Sequence, residues 1–246
     1  MVARQVQATD PTVLADLATV RLGTSYFRRA LSRLRDDRFD EASLLPGWSR
    51  RHIVAHVGYN ARAIARLVTW AATDLETPMY SSPEARAAEI ESGATQRPDA
   101  LRSLAEHAAV DLDVRWRDLP DNRWAHQVRT AQGRVVPVAE TLWMRSREVW
   151  LHAVDLDTGG RVSDIPPDVL ARLLSDVVGM WRKRQELDGL AVSSEGPCGP
   201  IRLGAADATS EVTGSLPDVV AWATGRNSAP GSLAWTGGAR RAPRWL

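Results

Sequence analysis

Thr141-Leu142-Trp143-Met144-Arg145-Ser146-Arg147-Glu148-Val149-Trp150-Leu151-His152 contains neither glycine nor proline. With Pro137 upstream as a residue suited to a first helical turn, the spacing predicts a helix from 137 to about 156, with Leu142, Val149 and Val154 among its apolar positions. Glu148 and His152 stand four residues apart on one face of that helix, about 6 Å apart along its axis, a spacing able to converge on one ion. An ExxxH pair also arises by chance as an exposed side-chain pair. Here Trp143, Val149, Trp150 and Leu151 crowd the segment, so part of its circumference must be buried. A buried carboxylate is costly unless it is paired, hydrogen-bonded or bound to a metal.

Toward the N-terminus, Thr9 or Asp10 caps a helix with Pro11 in its first turn, and Val13, Leu17, Val20, Phe27, Leu31 and Leu34 recur at helical spacing. The break Leu45-Pro46-Gly47-Trp48 leads to Ser49, an N-cap candidate. Ile53, Val57, Ile64 and Leu67 then carry a second helix to about residue 72, with Trp48 placed to staple its start. After the turn Thr77-Pro78-Met79-Tyr80, Ser82-Pro83-Glu84 opens a short helix to about residue 91. A third long helix spans about 98 to 119, with Leu101, Leu104, Ala108, Leu112 and Arg115 on one face and Trp116 near its end. Alternation between Trp124 and Val136 around Gln132-Gly133 predicts a hairpin. Four long helices in one stretch imply a bundle.

Gly159-Gly160 and Pro166-Pro167 form a dense cluster of breakers, which sets the domain boundary. Beyond it, residues 168 to about 185 read as helix, and Leu190-Ala191-Val192, Ile201-Arg202-Leu203 and Glu211-Val212-Thr213 as short strands. Residues 215 to 225 return to helix, with Pro217 in the first turn. The expected architecture is therefore a four-helix bundle over residues 1–160 followed by a small α+β domain over 161–246.

Composition narrows the class. A hydrophobic content of 44%, a charged content of 25% and a formal net charge of +1 describe an ordinary soluble protein, with nothing that demands nucleic acid. Lys183 is the only lysine among 31 basic residues, a bias that suits carboxylate recognition without defining a basic face. The single cysteine, Cys198, rules out an intrachain disulfide and fits a reducing, cytoplasmic setting. It sits in the turn-rich Gly196-Pro197-Cys198-Gly199-Pro200 and is given no role. Asp10 and Asp16 argue against a secretory signal, and no apolar run approaches the roughly 20 residues that span a bilayer. No feature requires a second subunit, so a monomer is compatible with the sequence.

His56, mid-way along the second helix between Ala55 and Val57, is the candidate partner of the Glu148/His152 pair. A lone histidine there has a plainer reading as a hydrogen-bonded core residue. One metal site accounts for all three residues more economically than separate plain readings. Two histidines and a carboxylate match a catalytic zinc set of three protein ligands with one open position, able to hold a thiol as thiolate. His52 forms its own i,i+4 pair with His56, but its place three residues past the cap favours exposure. His107 and His126 lack a second ligand at helical spacing.

These residues, together with Arg21-Leu22-Gly23-Thr24-Ser25, the segment from Gly47-Trp48-Ser49 through Ala55-His56-Val57 to Asn60, Glu76-Thr77-Pro78-Met79-Tyr80, Thr130-Ala131-Gln132-Gly133-Arg134, the run from Glu140 to Leu156 and Pro243-Arg244-Trp245-Leu246, give the chain its likeness to a known family. It resembles the mycothiol-dependent maleylpyruvate isomerases, whose N-terminal part belongs to the DinB-like metal-binding helical bundles. The histidine plus ExxxH pattern is shared across that superfamily, whereas residues 141–150 are far more particular. The resemblance implies a DinB-like four-helix bundle and a sterol-carrier-like C-terminal domain, with zinc on His56, Glu148 and His152. It also implies a catalytic arginine, matched by Arg226 in Ala223-Thr224-Gly225-Arg226, which read alone is a helix-end cation. Between about 162 and 214 the likeness is in the pattern of elements.

The activity implied is cis–trans isomerisation of maleylpyruvate to fumarylpyruvate, in aromatic (gentisate) degradation. Mycothiol held as a zinc-bound thiolate would add to the alkene, permit rotation about the resulting single bond and leave again. Two other readings stand beside it. One is a DinB-like mycothiol S-transferase that consumes thiol in detoxifying electrophiles, and the other is a non-catalytic, metal-stabilised binding module.

Overall fold

The first helix begins where Asp10 supplies its cap. Its carboxylate accepts from the backbone N–H groups of Thr12 at 2.7 Å and Val13 at 3.3 Å, and Pro11 occupies the first turn, where a missing N–H costs nothing. The computed structural model describes residues 5–226, 231–238 and 241–245. Leu246, the last residue of the stretch compared above, lies outside the described residues. Four long helices, α1 (Pro11–Arg33), α2 (Arg50–Thr73), α4 (Pro98–Asp118) and α5 (Glu140–Asp155), form the bundle, with a shorter α3 (Pro83–Ala94) against α2. The apolar positions read from periodicity face inward. Val13, Leu17, Val20, Phe27 and Leu31 of α1, and Ile53, Val57, Ile64 and Leu67 of α2, are all buried. Each such side chain contributes about 1.5–3 kcal/mol when fully removed from water.

A hairpin of β1 (Gln127–Arg129) and β2 (Val135–Pro137) precedes α5, paired antiparallel with Val128 opposite Val136. Pro137 therefore ends a strand and does not open the helix. Without an N–H it is tolerated at a strand terminus, and α5 starts three residues later at Glu140.

The chain folds as two compact units, Met1–Gly160 and Arg161–Leu246. The second holds α6 (Pro167–Lys183), α7 (Leu216–Ala223) and a four-stranded sheet of β3 (Leu190–Gly196), β4 (Gly199–Gly204), β5 (Ser210–Gly214) and β6 (Leu233–Thr236), in the order β4-β3-β5-β6. β3 pairs antiparallel with β4 and parallel with β5, while β6 closes the edge antiparallel to β5. An edge-to-face aromatic chain organises its core. Trp181 and Trp222 lie 5.8 Å apart, and Trp222 and Trp235 5.4 Å apart, at near-perpendicular angles. Cys198 is exposed at the turn between β3 and β4. Among the described residues no helix is long and apolar enough to cross a membrane.

Two glycines set how closely the bundle helices approach. A Cβ on Gly23 of α1 would sit 2.7 Å from Trp150 Nε1 and 2.8 Å from Val149 Cγ2 of α5. One on Gly58 of α2 would meet Leu104 Cγ of α4 at 2.7 Å. Because Val149 and Trp150 immediately follow Glu148, the α1–α5 contact also seats the turn that carries Glu148. Gly23→Ala is expected to destabilise the protein by about 1–3 kcal/mol through overpacking, despite alanine's better helix propensity. Urea unfolding of the purified variant measures this, and a stabilised variant would contradict the close approach.

Candidate metal centre

Ser49 begins α2 and draws His52 into its cap. The Ser49 N–H and its hydroxyl lie 3.2 and 2.7 Å from His52 Nδ1, while His52 Nε2 stands 3.5 Å from Glu91 of α3. His52 is therefore half-buried and engaged in helix capping, where position alone suggested exposure. One turn further, His56 is buried, with Trp48 stacked over His52 and edge-on to His56 at a ring separation of 5.3 Å.

Residue 56 comes together with the pair on α5. His56 Nε2 lies 2.7 Å from Glu148 Oε2, and His152 Nε2 lies 3.1 Å from the same oxygen. The two imidazoles meet edge to face, 4.9 Å between centroids and 89° between planes. Ligand atoms from His56, Glu148 and His152 all fall within 4.8 Å of one another, so three donors expected from spacing converge on one point. Glu148 keeps 22% of its side chain exposed, against 5% for His56 and 11% for His152, so the carboxylate is the most accessible of the three.

The surroundings are polar where the core would otherwise be dry. Asp155, fully buried, accepts from His152 Nδ1 at 2.8 Å. Arg145, one turn before Glu148 and also buried, donates through Nη1 to the Val57 carbonyl at 2.7 Å and to Asn60 Oδ1 at 2.9 Å. That guanidinium ties the turn of α5 that carries Glu148 to the turn of α2 that carries His56. His56 Nδ1, by contrast, is buried with no hydrogen-bond partner.

Electrostatics separate the two histidines. Burial opposes the charge of both, and at His56 it outweighs Glu148, so the pKa falls below its ordinary value. At His152 burial is outweighed by the combined pull of the Asp155 and Glu148 carboxylates, and the pKa rises to about 8. Burial also works against the ionised form of Glu148, but the two imidazoles hold its carboxyl well below the usual range. Burial pulls Arg145 down to about 10, with Glu148 and Tyr80 acting in the opposite direction.

Arg226 follows α7 in the second unit. Gly225, at φ +73°, ends the helix in the left-handed conformation, and the Arg226 N–H bonds to the Ala221 carbonyl at 2.7 Å. Its side chain is buried and Nη1 donates to the Thr224 carbonyl at 3.1 Å. His107 is exposed on α4, and His126 Nδ1 lies 3.5 Å from Asp74. Asp155, Arg145 and Asn60 were missed from sequence. The spacing HxxD in His152 to Asp155 was the available signal, since an i,i+3 pair shares a helix face.

The family described as "Mycothiol maleylpyruvate isomerase N-terminal domain" matches residues 20–157, more than half of the chain. The chain belongs to the mycothiol-dependent maleylpyruvate isomerase family. A crystal structure of the mycothiol-dependent maleylpyruvate isomerase is 45% identical, covers 95% of this chain and 97% of its own, and superposes with a TM-score of 0.89. A histidine-to-alanine mutant of the mycothiol-dependent maleylpyruvate isomerase matches with the same identity, coverage and TM-score. No curated protein sequence matches significantly. Likeness to family members thus extends through the α+β unit, beyond the 20–157 segment.

The raised pKa of His152 ties stability to pH in a defined direction. A histidine with a folded pKa of about 8 against an ordinary 6.5 contributes stability that is fully present below pH 6.5 and lost as pH rises through 8. In chelator-treated protein, stability should therefore fall by about 2 kcal/mol between pH 6.5 and pH 9. Denaturant unfolding at several pH values gives the slope, and a flat profile would contradict the Asp155/Glu148 pull on His152.

Proposed function

We propose that this chain isomerises maleylpyruvate to fumarylpyruvate with mycothiol as its thiol cofactor, using a zinc ion held by His56, Glu148 and His152. The observation that carries this reading is the convergence of the three donors on one point in a member of this family. The donor set fits the metal. Two imidazole nitrogens and one carboxylate are a catalytic zinc complement that leaves a coordination position open, whereas structural zinc sites are normally closed by four protein ligands. Both ring Nε2 atoms already point at Glu148 Oε2, and the Asp155 contact at Nδ1 leaves the His152 Nε2 lone pair for the ion.

Zinc held there would supply a Lewis-acid position able to keep a bound thiol ionised near neutral pH. Mycothiol, when bound, would supply the sulfur nucleophile for reversible addition to the double bond. The chain's own residues do the rest. Trp48, packed over His52 and against His56, walls the ligand helix. Arg226 supplies a planar fork matched to a substrate carboxylate or to the enolate that forms on addition. A reducing, cytoplasmic location suits a thiol cofactor and a chain with one cysteine. A mycothiol S-transferase would use the same zinc set, and product analysis distinguishes the two because isomerisation returns free thiol.

His56→Ala should lower zinc content as well as turnover, and unchanged metal stoichiometry by elemental analysis would refute the ligand set. Arg226→Lys should reduce kcat/KM for maleylpyruvate by roughly tenfold to a hundredfold while keeping the charge, because an ammonium cannot reproduce two parallel N–H donors. Full activity in that variant removes Arg226 from the reaction.

A further inference from the structure

The two histidines of the metal centre are supported unequally. His56 Nδ1 is buried and unpartnered. His152 Nδ1 donates to Asp155 Oδ2 at 2.8 Å, and Asp155 is 0% exposed. A carboxylate buried that deeply near the end of a bundle helix carries a large desolvation cost, which a hydrophobic residue in the same place would avoid. The backbone around it is fixed as well, because the Leu44 N–H bonds to the Asp155 carbonyl at 3.0 Å.

We infer that Asp155 is the positioning residue of the metal centre: its carboxylate locks His152 in the Nδ1–H tautomer, so that α5 alone presents a preorganised His152/Glu148 half-site, which His56 completes from α2. This role rests on the zinc reading above. An imidazole whose Nδ1 carries the proton directs its Nε2 lone pair outward, and here that atom lies 3.1 Å from Glu148 Oε2, on the ligand side. The negative charge behind the ring raises its basicity and hence its strength as a ligand. Ring rotation, which would turn the donor atom away, is stopped at a residue one helical turn along the same face. His56 has no equivalent brace, so metal affinity should depend on Asp155 although Asp155 never touches the ion.

The test is zinc affinity, measured by chelator competition on the full chain, in Asp155→Ala and Asp155→Asn. The expected result is a loss of about 10- to 100-fold for alanine. Asparagine should lose less, since its amide oxygen still accepts the Nδ1–H but carries no charge. Thr141→Val serves as the control, a fully buried polar change on the same helix whose hydroxyl meets Trp116 Nε1, away from the ligands. Affinity in both Asp155 variants equal to the unsubstituted chain, or a loss no larger than that of Thr141→Val, would overturn the inference. Nitrogen-15 spectra of His152 at alkaline pH, in metal-free Glu148→Ala chains that lack the competing acceptor at Nε2, give a second readout. The Nδ1–H tautomer should dominate with Asp155 or Asp155→Asn in place and be lost in Asp155→Ala, and an Nε2–H tautomer with Asp155 in place would overturn the inference independently of any metal. A chain that binds no zinc sinks the metal reading instead, and the tautomer still decides the role of Asp155.

Discussion

One carboxylate oxygen, Oε2 of Glu148, receives the Nε2 atoms of two imidazoles that lie 92 and 4 residues away along the chain. Holding three such groups together under the surface is unfavourable unless their charges offset one another or an ion takes them up. The bundle therefore has to bring α2 and α5 to a separation that satisfies a polar contact rather than the densest apolar one. Gly23 lets α1 lie directly on the Val149–Trp150 turn, Gly58 lets α4 close on α2, and Arg145 bridges α5 to the Val57 carbonyl beside His56. Apolar packing supplies the driving force, and these small or polar residues set where it stops.

The charge pattern around that oxygen is graded. Arg145 stands behind Glu148 and Asp155 behind His152, so each α5 ligand has an oppositely charged neighbour. His56 has an aromatic wall and an unpartnered ring nitrogen. Such a gradient orients the His152 ring firmly, while burial lowers the pKa of His56.

The second unit reaches its stability differently. A mixed four-stranded sheet is covered by α6 and α7, and three tryptophans, from α6, α7 and β6, stand in successive edge-to-face contact. The turn that carries Arg226 is fixed by local rules. Gly225 accepts a positive φ, the helix-end carbonyls are capped, and the guanidinium sits on Thr224. The cap that buries the Arg226 side chain also orients it.

Much of this was legible before any coordinates. Asp10, Ser49 and Ser82 mark helix starts through interactions within four residues, and helical periodicity identifies the buried faces. These signals are local and survive in the linear chain. β6 was not legible, since Leu233–Thr236 is short and bordered by Gly231 and Gly237, and it becomes a strand only by pairing with β5. Pro137 misled for a related reason, because strand or helix at that position depends on whether Gln127 lies opposite. The sequence alone determined which donor types exist and that Glu148 and His152 share a helix face. Only tertiary structure decided that His56 joins them and that Arg145, one arginine among many, reaches the Val57 carbonyl and Asn60, because those contacts depend on how α2 packs on α5.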